Sequence, residues 1–160
     1  MTEVAKSRWR WRGRVRIVAR HVDGTVEVDE FDNAIHDAGL DLLAQALTGA
    51  VSTPEIRYIA LGASDAAIDT SDTTLGDERF RKPVSLQSNP STGEAVTTVY
   101  IAPHEAVDFT IEEIGWFAGP DATDDPDSGV LIARVLYSRA KTNLESLQIQ
   151  RVDTFAEEGA

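Results

Sequence analysis

Cysteine is absent from this chain, which excludes disulfide bonds and metal sites built from thiolates. No apolar run reaches 18 residues, so no segment has the length and composition of a membrane-spanning helix. A signal-peptide pattern is also missing, because the N-terminal residues lead directly into a run rich in Arg and Trp. From these absences we expect a soluble protein that is made in the cytoplasm and has no membrane partner.

Lysine is nearly absent as well, with only Lys6, Lys82 and Lys141, whereas Asp and Glu number 27 and the net charge is −12. Few lysines and many aspartates are typical of a high-salt habitat and equally of GC-rich coding, and both explanations stay open. The acidic balance makes nucleic acid an unlikely main partner. A hydrophobic content of 42% over 160 residues predicts one globular domain with its own core.

Residues 107–117, VDFTIEEIGWF, predict a core β-strand around which the chain is organised. Apolar and polar residues alternate up to Glu112, the period-2 pattern of a strand with one buried face. Glu113 interrupts this alternation, and two successive carboxylates in an apolar strand indicate either a β-bulge or a point where the strand leaves one neighbour for another. Gly115 allows another backbone or a large ring to come close. A bulged core strand is preferred here over a ligand-binding role for the two acids.

Residues 8–18, RWRWRGRVRIV, alternate arginine with apolar or aromatic residues. On a strand this gives one cationic face and one apolar face. Three interpretations stay open: an edge strand whose arginines prevent aggregation, an arm that docks on an acidic neighbouring subunit, and an arm that grips nucleic acid. The first two are preferred because the rest of the chain is acidic. The alternating residues are Arg8, Trp9, Arg10, Trp11, Arg12, Arg14 and Arg16.

A hairpin is predicted next, because Asp23 and Gly24 form a two-residue turn signal between two apolar, β-branched runs. The signal predicts antiparallel pairing of residues 13–22 with residues 25–31.

One helix is predicted, at about residues 33–48, where an apolar stripe follows helical spacing and implies packing on a sheet. Asp32 or Asn33 is expected to cap its start, and Gly49 to end it. His36 is expected to lie at the surface or to cap the helix, because no second His or Cys is close enough in sequence to share a metal.

Further strands are predicted at residues 55–62, 78–86, 95–102, 130–137 and 143–152. Pro83 suits an edge strand, and residues 80–87 are expected to pair with residues 95–102. Residues 130–137, VLIARVLY, are apolar on nearly both faces, which is typical of a central strand or of a strand at a subunit interface.

Together these elements predict a mainly β fold, an antiparallel β-sandwich of about eight strands with one packed α-helix. The chain is expected to divide into a basic Arg/Trp arm or first strand at residues 1–20, a single sandwich domain at residues 13–155, and a frayed tail at residues 156–160.

Two aspartate-rich loops are candidates for a metal site. The acids of residues 63–77 lack the ordered spacing of a calcium loop, so a solvated loop is preferred. Residues 119–129 offer carboxylates that could hold a divalent cation, although two Pro and two Gly favour a simple hairpin loop. These weak candidates are Asp121, Asp124, Asp125 and Asp127, and no cofactor is predicted.

No catalytic constellation is recognisable. His104 and Glu105 are the nearest approach to an acid–base pair, but no Ser or Lys nucleophile accompanies them. Phosphate-binding glycine loops, zinc spacings and nucleophile elbows are all missing from the sequence. We therefore expect a protein that is not an enzyme.

Five short motifs occur in a particular order: AGLDLLAQALTG, IRYIALG, DTTLGDERFRKPV, FTIEEIGWFAG and GVLIARVLYS. This succession, over about residues 34–152, resembles the N-terminal domain of tail-collar and tail-fibre proteins of tailed phages and related tail-tip and baseplate proteins. The resemblance implies a structural subunit at the end of a virus tail, which forms a trimer or ring and contacts other tail proteins during host adsorption. Fibre proteins usually continue into a shaft and a receptor-binding tip, so a sequence ending near residue 160 is expected to be an adaptor or tail-tip protein.

Two alternatives accompany this hypothesis: a head-decoration or neck protein of the virion, and a carbohydrate-binding module whose exposed Trp side chains stack on sugar rings. Under the tail hypothesis, Glu112 and Glu113 are expected to meet arginines of a neighbouring chain. The predicted interface consists of Arg8, Trp9, Arg10, Trp11, Arg12, Arg14, Arg16, Glu112, Glu113 and Trp116.

Overall fold

The structure, a computed structural model, describes residues 8–158. It contains two antiparallel sheets of five and four strands and one short helix, which confirms the predicted mainly β sandwich. Residues 1–7 of the predicted arm and residues 159–160 of the predicted tail lie outside the described part. The elements are β1 (Trp9–His21), β2 (Val26–Asn33), α1 (Asp37–Thr48), β3 (Ile56–Gly62), β4 (Glu78–Pro83), β5 (Leu86–Ser88), β6 (Glu94–Ile101), β7 (Ile111–Ala118), β8 (Val130–Arg139) and β9 (Glu145–Glu157).

The five-stranded sheet has the order β2-β1-β9-β6-β5. The β1–β2 hairpin is confirmed, with Gly24 in the left-handed region at φ 91° and the Thr25 amide donating to the Asp23 carboxylate at 2.8 Å. Of the three interpretations of the arginine-rich segment, the edge strand is wrong from residue 13 onward, because residues 13–20 pair with β2 on one side and with β9 on the other. Residues 9–12 pair with β9 alone, because β2 has already ended beside them.

The C-terminal strand continues further than the sequence pattern predicts. Ala156 and Glu157 belong to β9 and pair with Arg10 and Trp9 of β1, and the amide of Glu158 donates to the carbonyl of the residue before β1 at 2.6 Å. The prediction of a frayed tail from residue 156 is therefore wrong for these residues. Their partner strand lies at the other end of the sequence, and local patterning does not report it.

The four-stranded sheet has the order β4-β3-β7-β8. Its strand β7 begins at Ile111, so residues 107–110 do not belong to the predicted strand. The predicted bulge is present, because the register between β7 and β8 shifts between Ile111 and Glu113. β4 lies at an edge, as Pro83 predicts.

The central-strand interpretation of residues 130–137 is wrong, because β8 lies at the other edge of this sheet, and the subunit-interface alternative stays a prediction. It is nevertheless buried on both faces. One face lies in the core between the sheets, and Leu131 joins a smaller cluster on the outer face. The segment before α1 also runs along β8, where the His36 amide donates to the Ile132 carbonyl at 2.7 Å. Coverage by loops and a helix therefore produces the apolar pattern that was expected from neighbouring strands.

The predicted pairing of residues 80–87 with residues 95–102 holds for β5 alone. Leu86–Ser88 pair with residues 96–98 of β6, whereas β4 pairs with β3 in the other sheet. The chain crosses between the sheets just after Pro83, which has no amide hydrogen to continue a ladder.

Helix α1 begins later than predicted. Asp32 and Asn33 belong to β2, and His36 is the residue before the first turn, although its side chain makes no capping hydrogen bond. Gly49 ends the helix in the left-handed region at φ 73°, as predicted. Leu42 is the helix's buried apolar side chain, while Leu47 is 83% exposed, so the predicted stripe is only partly covered.

His36 is fully buried, which corrects the prediction of a surface histidine. Neither ring nitrogen has a hydrogen-bond partner among residues 8–158. Burial lowers the pKa of His36, and the charge of Arg134 lowers it further, while Asp72, Asp37 and Asp69 oppose the shift. The neutral imidazole is therefore the form that this site accommodates.

This burial predicts a loss of stability as the pH falls below about 6.5, the ordinary pKa of histidine. The unfolded chain exposes His36 and takes up a proton near that pH, whereas the folded chain does so only at lower pH. Urea unfolding at pH 7.5, 6.5 and 5.5 should show the free energy of unfolding falling, and His36→Leu should flatten the fall. His104→Gln, at an exposed histidine, is the control and should leave it unchanged. An identical pH dependence in wild type and His36→Leu would contradict the prediction.

Candidate interaction face

An uncovered face of the five-stranded sheet carries a row of arginines. Val15, Ile17 and Ala19 of β1 lie in the core between the sheets, so the alternate residues point outward. Alternate residues on a strand are about 7 Å apart, and the first four arginines of the row therefore span about 20 Å. This row, called the arginine stripe below, consists of Arg10, Arg12, Arg14, Arg16 and Arg20, all exposed.

The surroundings of the stripe differ on its two sides. On the β9 side its neighbours are the uncharged residues Gln150, Val152 and Thr154. On the β2 side Glu30 and Asp32 lie opposite two of its arginines. All five arginines of this face are exposed, whereas Val18, which lies between Arg16 and Arg20 in the same row, is 5% exposed.

Part of the stripe is engaged in ion pairs. The Glu30 carboxylate lies 2.9 Å from the Arg14 guanidinium and 3.2 Å from that of Arg16. Exposed pairs of this kind contribute about 0.2–1 kcal/mol, so a partner can exchange them at little cost. The other three arginines have no carboxylate within 4 Å in the described part of the chain.

The stripe holds most of the exposed positive charge of the described residues. Six other cations are held in buried or half-buried contacts: Arg81, Lys82, Arg134, Arg139, Lys141 and Arg151. Exposed cations outside the stripe are Arg8, just before β1, together with Arg57 and Arg79. Arg79 pairs with Asp77 at 2.9 Å.

The three tryptophans lie in different environments. Trp9 is 73% exposed beside the stripe. Trp11 is partly buried, with its ring centroid 5.0 Å from that of Phe155 and its Nε1 donating to Asp153 at 2.8 Å. Trp116 is fully buried in the core, which corrects its assignment to the interface. The carbohydrate-binding alternative is thus left with one freely exposed indole among the described residues.

Glu113 is buried inside this chain, and the prediction that it meets a neighbouring chain is therefore wrong. Its carboxylate accepts a hydrogen bond from Arg134 Nε at 2.5 Å. The carboxylate also accepts hydrogen bonds from three backbone amides of the loop of residues 63–77, at 2.7 to 3.2 Å. The donors are Ser64, Gly76 and Asp77. Glu112 is half-buried and remains a candidate for an interface.

Arg134, the ion-pair partner of Glu113, also binds the loop of residues 63–77. Arg134 donates to the carbonyls of Ala66 and Ser64 at 3.0 and 3.2 Å. Gly62 has to be glycine at this point, because a Cβ there would lie 2.6 Å from the Asp77 carbonyl oxygen and would also overlap the Glu113 carboxylate. The Glu113–Arg134 pair therefore acts as the internal anchor of residues 63–77.

Two aspartate-rich loops cover the outer face of the four-stranded sheet. Leu75 from residues 63–77 and Ala122 from residues 119–129 pack against Phe117 in a second hydrophobic cluster. Leu75 comes so close that a Cβ on Gly115 would lie 2.6 Å from its Cδ2. A close neighbour at Gly115 is therefore present, but it is an aliphatic side chain and not the backbone or large ring that was predicted.

Arg81 holds the second loop in place. Its Nη1 donates to the carbonyls of Thr123 and Ser128 at 3.0 and 2.8 Å, and its guanidinium lies 4.2 Å from the centre of the Phe117 ring. The loops are held through these internal contacts, and their acids point to solvent. The exposed aspartates are Asp65, Asp69, Asp121, Asp124, Asp125 and Asp127.

The aspartates of residues 119–129 do not converge as metal ligands. Within residues 8–158, the group whose ligand atoms lie close enough together is His21, Glu27 and Glu145. Arg139 lies among these acids, at 2.5 Å from each carboxylate. The hydrogen bond from Arg139 lowers the pKa of Glu27. Burial alone would raise the pKa of Glu145, but the hydrogen bonds from Arg139 outweigh the burial, and the pKa of Glu145 is lowered as well. An ion-pair network explains this cluster without a metal.

An apolar groove of about 450 Å³ opens between α1 and the end of the sandwich. Leu42 and Leu43 of the helix form one wall, and Trp11 and Phe155 of the five-stranded sheet form another. The Trp11 and Phe155 rings are in contact with each other in a tilted arrangement, with 32° between their planes.

Sequence reasoning missed three arginine pairs with buried side chains, Glu113–Arg134, Arg151–Asp153 and Arg81–Glu78. A signal for the first was present, because Arg134 interrupts an apolar strand just as Glu113 does. The second had a weaker signal, since residues 151 and 153 share the strand face of the apolar residues Leu147 and Ile149.

Comparisons of this chain with protein-family models, with curated proteins and with solved structures find no match.

Proposed function

We propose that this chain is a non-enzymatic structural subunit of a tailed-virus particle, at the tail tip, baseplate or fibre attachment. There it assembles with copies of itself and with neighbouring tail proteins during host adsorption. The observation that carries the proposal is the uncovered sheet face with the arginine stripe, on a chain of net charge −12. Such a face suits docking on an acidic protein surface, because complementary charge steers association and sets orientation.

The ordered motifs support the same proposal through their positions. AGLDLLAQALTG covers α1, and the other four motifs contribute β3, β4, β7 and β8. They therefore build one contiguous layer, the four-stranded sheet with its helix and one covering loop. A shared structural unit is expected to have this arrangement, whereas motifs scattered over the molecule would favour coincidence. The arginine stripe lies on the other sheet, which suits a feature specific to this chain.

The buried carboxylates favour a structural role over a catalytic one. Glu113, Glu145 and Asp153 each form an ion pair with an arginine. Proton transfer requires an acid or base within reach of a substrate, and a carboxylate held by an arginine inside the fold serves the fold instead.

Locating the chain in purified particles tests the proposal. Immunogold labelling, or assignment of density in a cryo-EM map, should place it at the end of the tail. Label confined to the head or neck would replace the proposal by the decoration or neck alternative. Absence of the chain from purified particles would refute both.

Reversing charge on the stripe should block incorporation. Arg10→Glu with Arg12→Glu leaves the Arg14–Glu30 pair intact and is expected to reduce the copies per particle at least tenfold, as measured by quantitative mass spectrometry. Arg57→Glu changes an exposed arginine away from the stripe and is the control. Thermal unfolding should show that both variants remain folded. Normal incorporation of the double variant would argue against docking through this face.

A further inference from the structure

We propose that copies of this chain associate head to tail, with the arginine stripe of one copy seated on the aspartate-rich loops of the next. The inference rests on the proposed assembly role and specifies its geometry: the partner is a second copy, and the two contacting surfaces are different.

The two surfaces lie on opposite sides of the sandwich. The stripe is on the outer face of the five-stranded sheet, since the intervening β1 residues fill the core. The loops lie on the outer face of the four-stranded sheet, where Leu75 and Ala122 belong to the second hydrophobic cluster. The inter-sheet core separates these two faces, so one copy cannot bring its own stripe to its own loops.

The two surfaces are complementary in charge. Five exposed arginines line one face, and six exposed aspartates lie on the loops of the other. The Asp124 and Asp125 side chains accept no hydrogen bond from residues 8–158, and three stripe arginines are without a carboxylate partner there. These charges are therefore available for contact with another chain.

The area of the sheet is sufficient for a specific contact. β1 and β9 each have 13 residues, about 40 Å of strand, and five strands span about 20 Å. The face thus offers up to about 800 Å², comparable with the contribution of one partner to an interface of standard size.

The arrangement favours a head-to-tail contact over a two-fold one. A two-fold contact through the stripe would bring arginine face against arginine face, and like charges across an interface are unfavourable. A contact between two different surfaces leaves each copy with one free surface of each kind. It therefore continues until a ring closes or a filament grows.

Sedimentation velocity of the purified full chain at low salt should show species larger than a dimer. Raising the salt to about 1 M, where the Debye length is about 3 Å, should return the chain to monomer. The stripe variant Arg10→Glu with Arg12→Glu and the loop variant Asp124→Lys with Asp125→Lys should each lower the association constant at least tenfold. The control is Asp41→Lys, at an exposed position on α1 away from both surfaces.

Mixing the variants distinguishes the geometries. The stripe variant keeps its aspartates and the loop variant keeps its arginines, so an equimolar mixture should form dimers and nothing larger. A loop variant that associates like wild type would overturn the proposal in favour of a two-fold contact. A mixture that stays monomeric, or a wild-type chain that is monomeric at low salt and about 100 µM, would overturn it too. A monomeric chain still found at the tail of purified particles would leave the proposed function standing.

Discussion

Glu113→Gln is expected to lower the free energy of unfolding by about 3–5 kcal/mol, the usual cost of removing one partner of a buried ion pair. The substitution leaves the Arg134 guanidinium, 2% exposed, without its counter-ion. It also turns amide hydrogens toward a site where three backbone amides now donate to the carboxylate. Urea unfolding at pH 7 measures the effect.

The neighbouring residue provides a matched control, because Glu112→Gln makes the same chemical change at a half-buried position and should shift stability by less than about 0.5 kcal/mol. Cleavage by a protease within residues 63–77 should also accelerate in Glu113→Gln, since this loop loses its anchor. Equal stabilities of the two variants would show that Glu113 does not hold the loop.

The second large effect is expected at Asp153, in the core between the sheets. Its carboxylate accepts bonds from Arg151 Nε and Nη2, at 2.8 and 2.6 Å, and from Trp11 Nε1 at 2.8 Å. Arg151 is fully buried, with its guanidinium 5.1 Å from the centre of the Trp116 ring. Asp153→Asn should therefore cost about 3–5 kcal/mol, again measured by urea unfolding.

Asp32→Asn is the control for this prediction, because Asp32 is exposed on the outer face of the same sheet. The double variant Arg151→Met with Asp153→Leu removes both charges together and should be more stable than Asp153→Asn. Replacing a whole buried pair by apolar residues is often neutral, whereas a lone buried charge is costly. A double variant less stable than the single one would show that the pair contributes a net attraction.

Several elements could be predicted from the sequence because their causes are local. Asp23 and Gly24 specify a turn within four residues, and the structure has that turn. Gly49 ends the helix through its own backbone conformation. The bulge near Glu113 follows from an interrupted alternation, which is again a property of adjacent residues.

Predictions failed where a distant partner decides the outcome. Asp32 and Asn33 are good helix caps in isolation, but pairing with β1 draws them into β2. From the sequence alone, Glu113 is expected to be a surface acid. It is buried because β8 places Arg134 beside it and the loop of residues 63–77 covers both residues. β8 has the composition of a central strand, although helix and loop cover it rather than a further strand.

The sequence by itself determined that this chain is a mainly β protein with one helix, and that one strand has a cationic side and an apolar side. Period-2 alternation and turn chemistry act over a few residues, so they are visible without a structure. Only the tertiary structure decided that the arginine strand lies inside a sheet and that its cationic side faces away from the aspartate-rich loops. Those outcomes depend on β9 returning to pair with β1 from the far end of the chain, and on the buried Glu113–Arg134 pair, whose partners are 21 residues apart and meet when β7 pairs with β8.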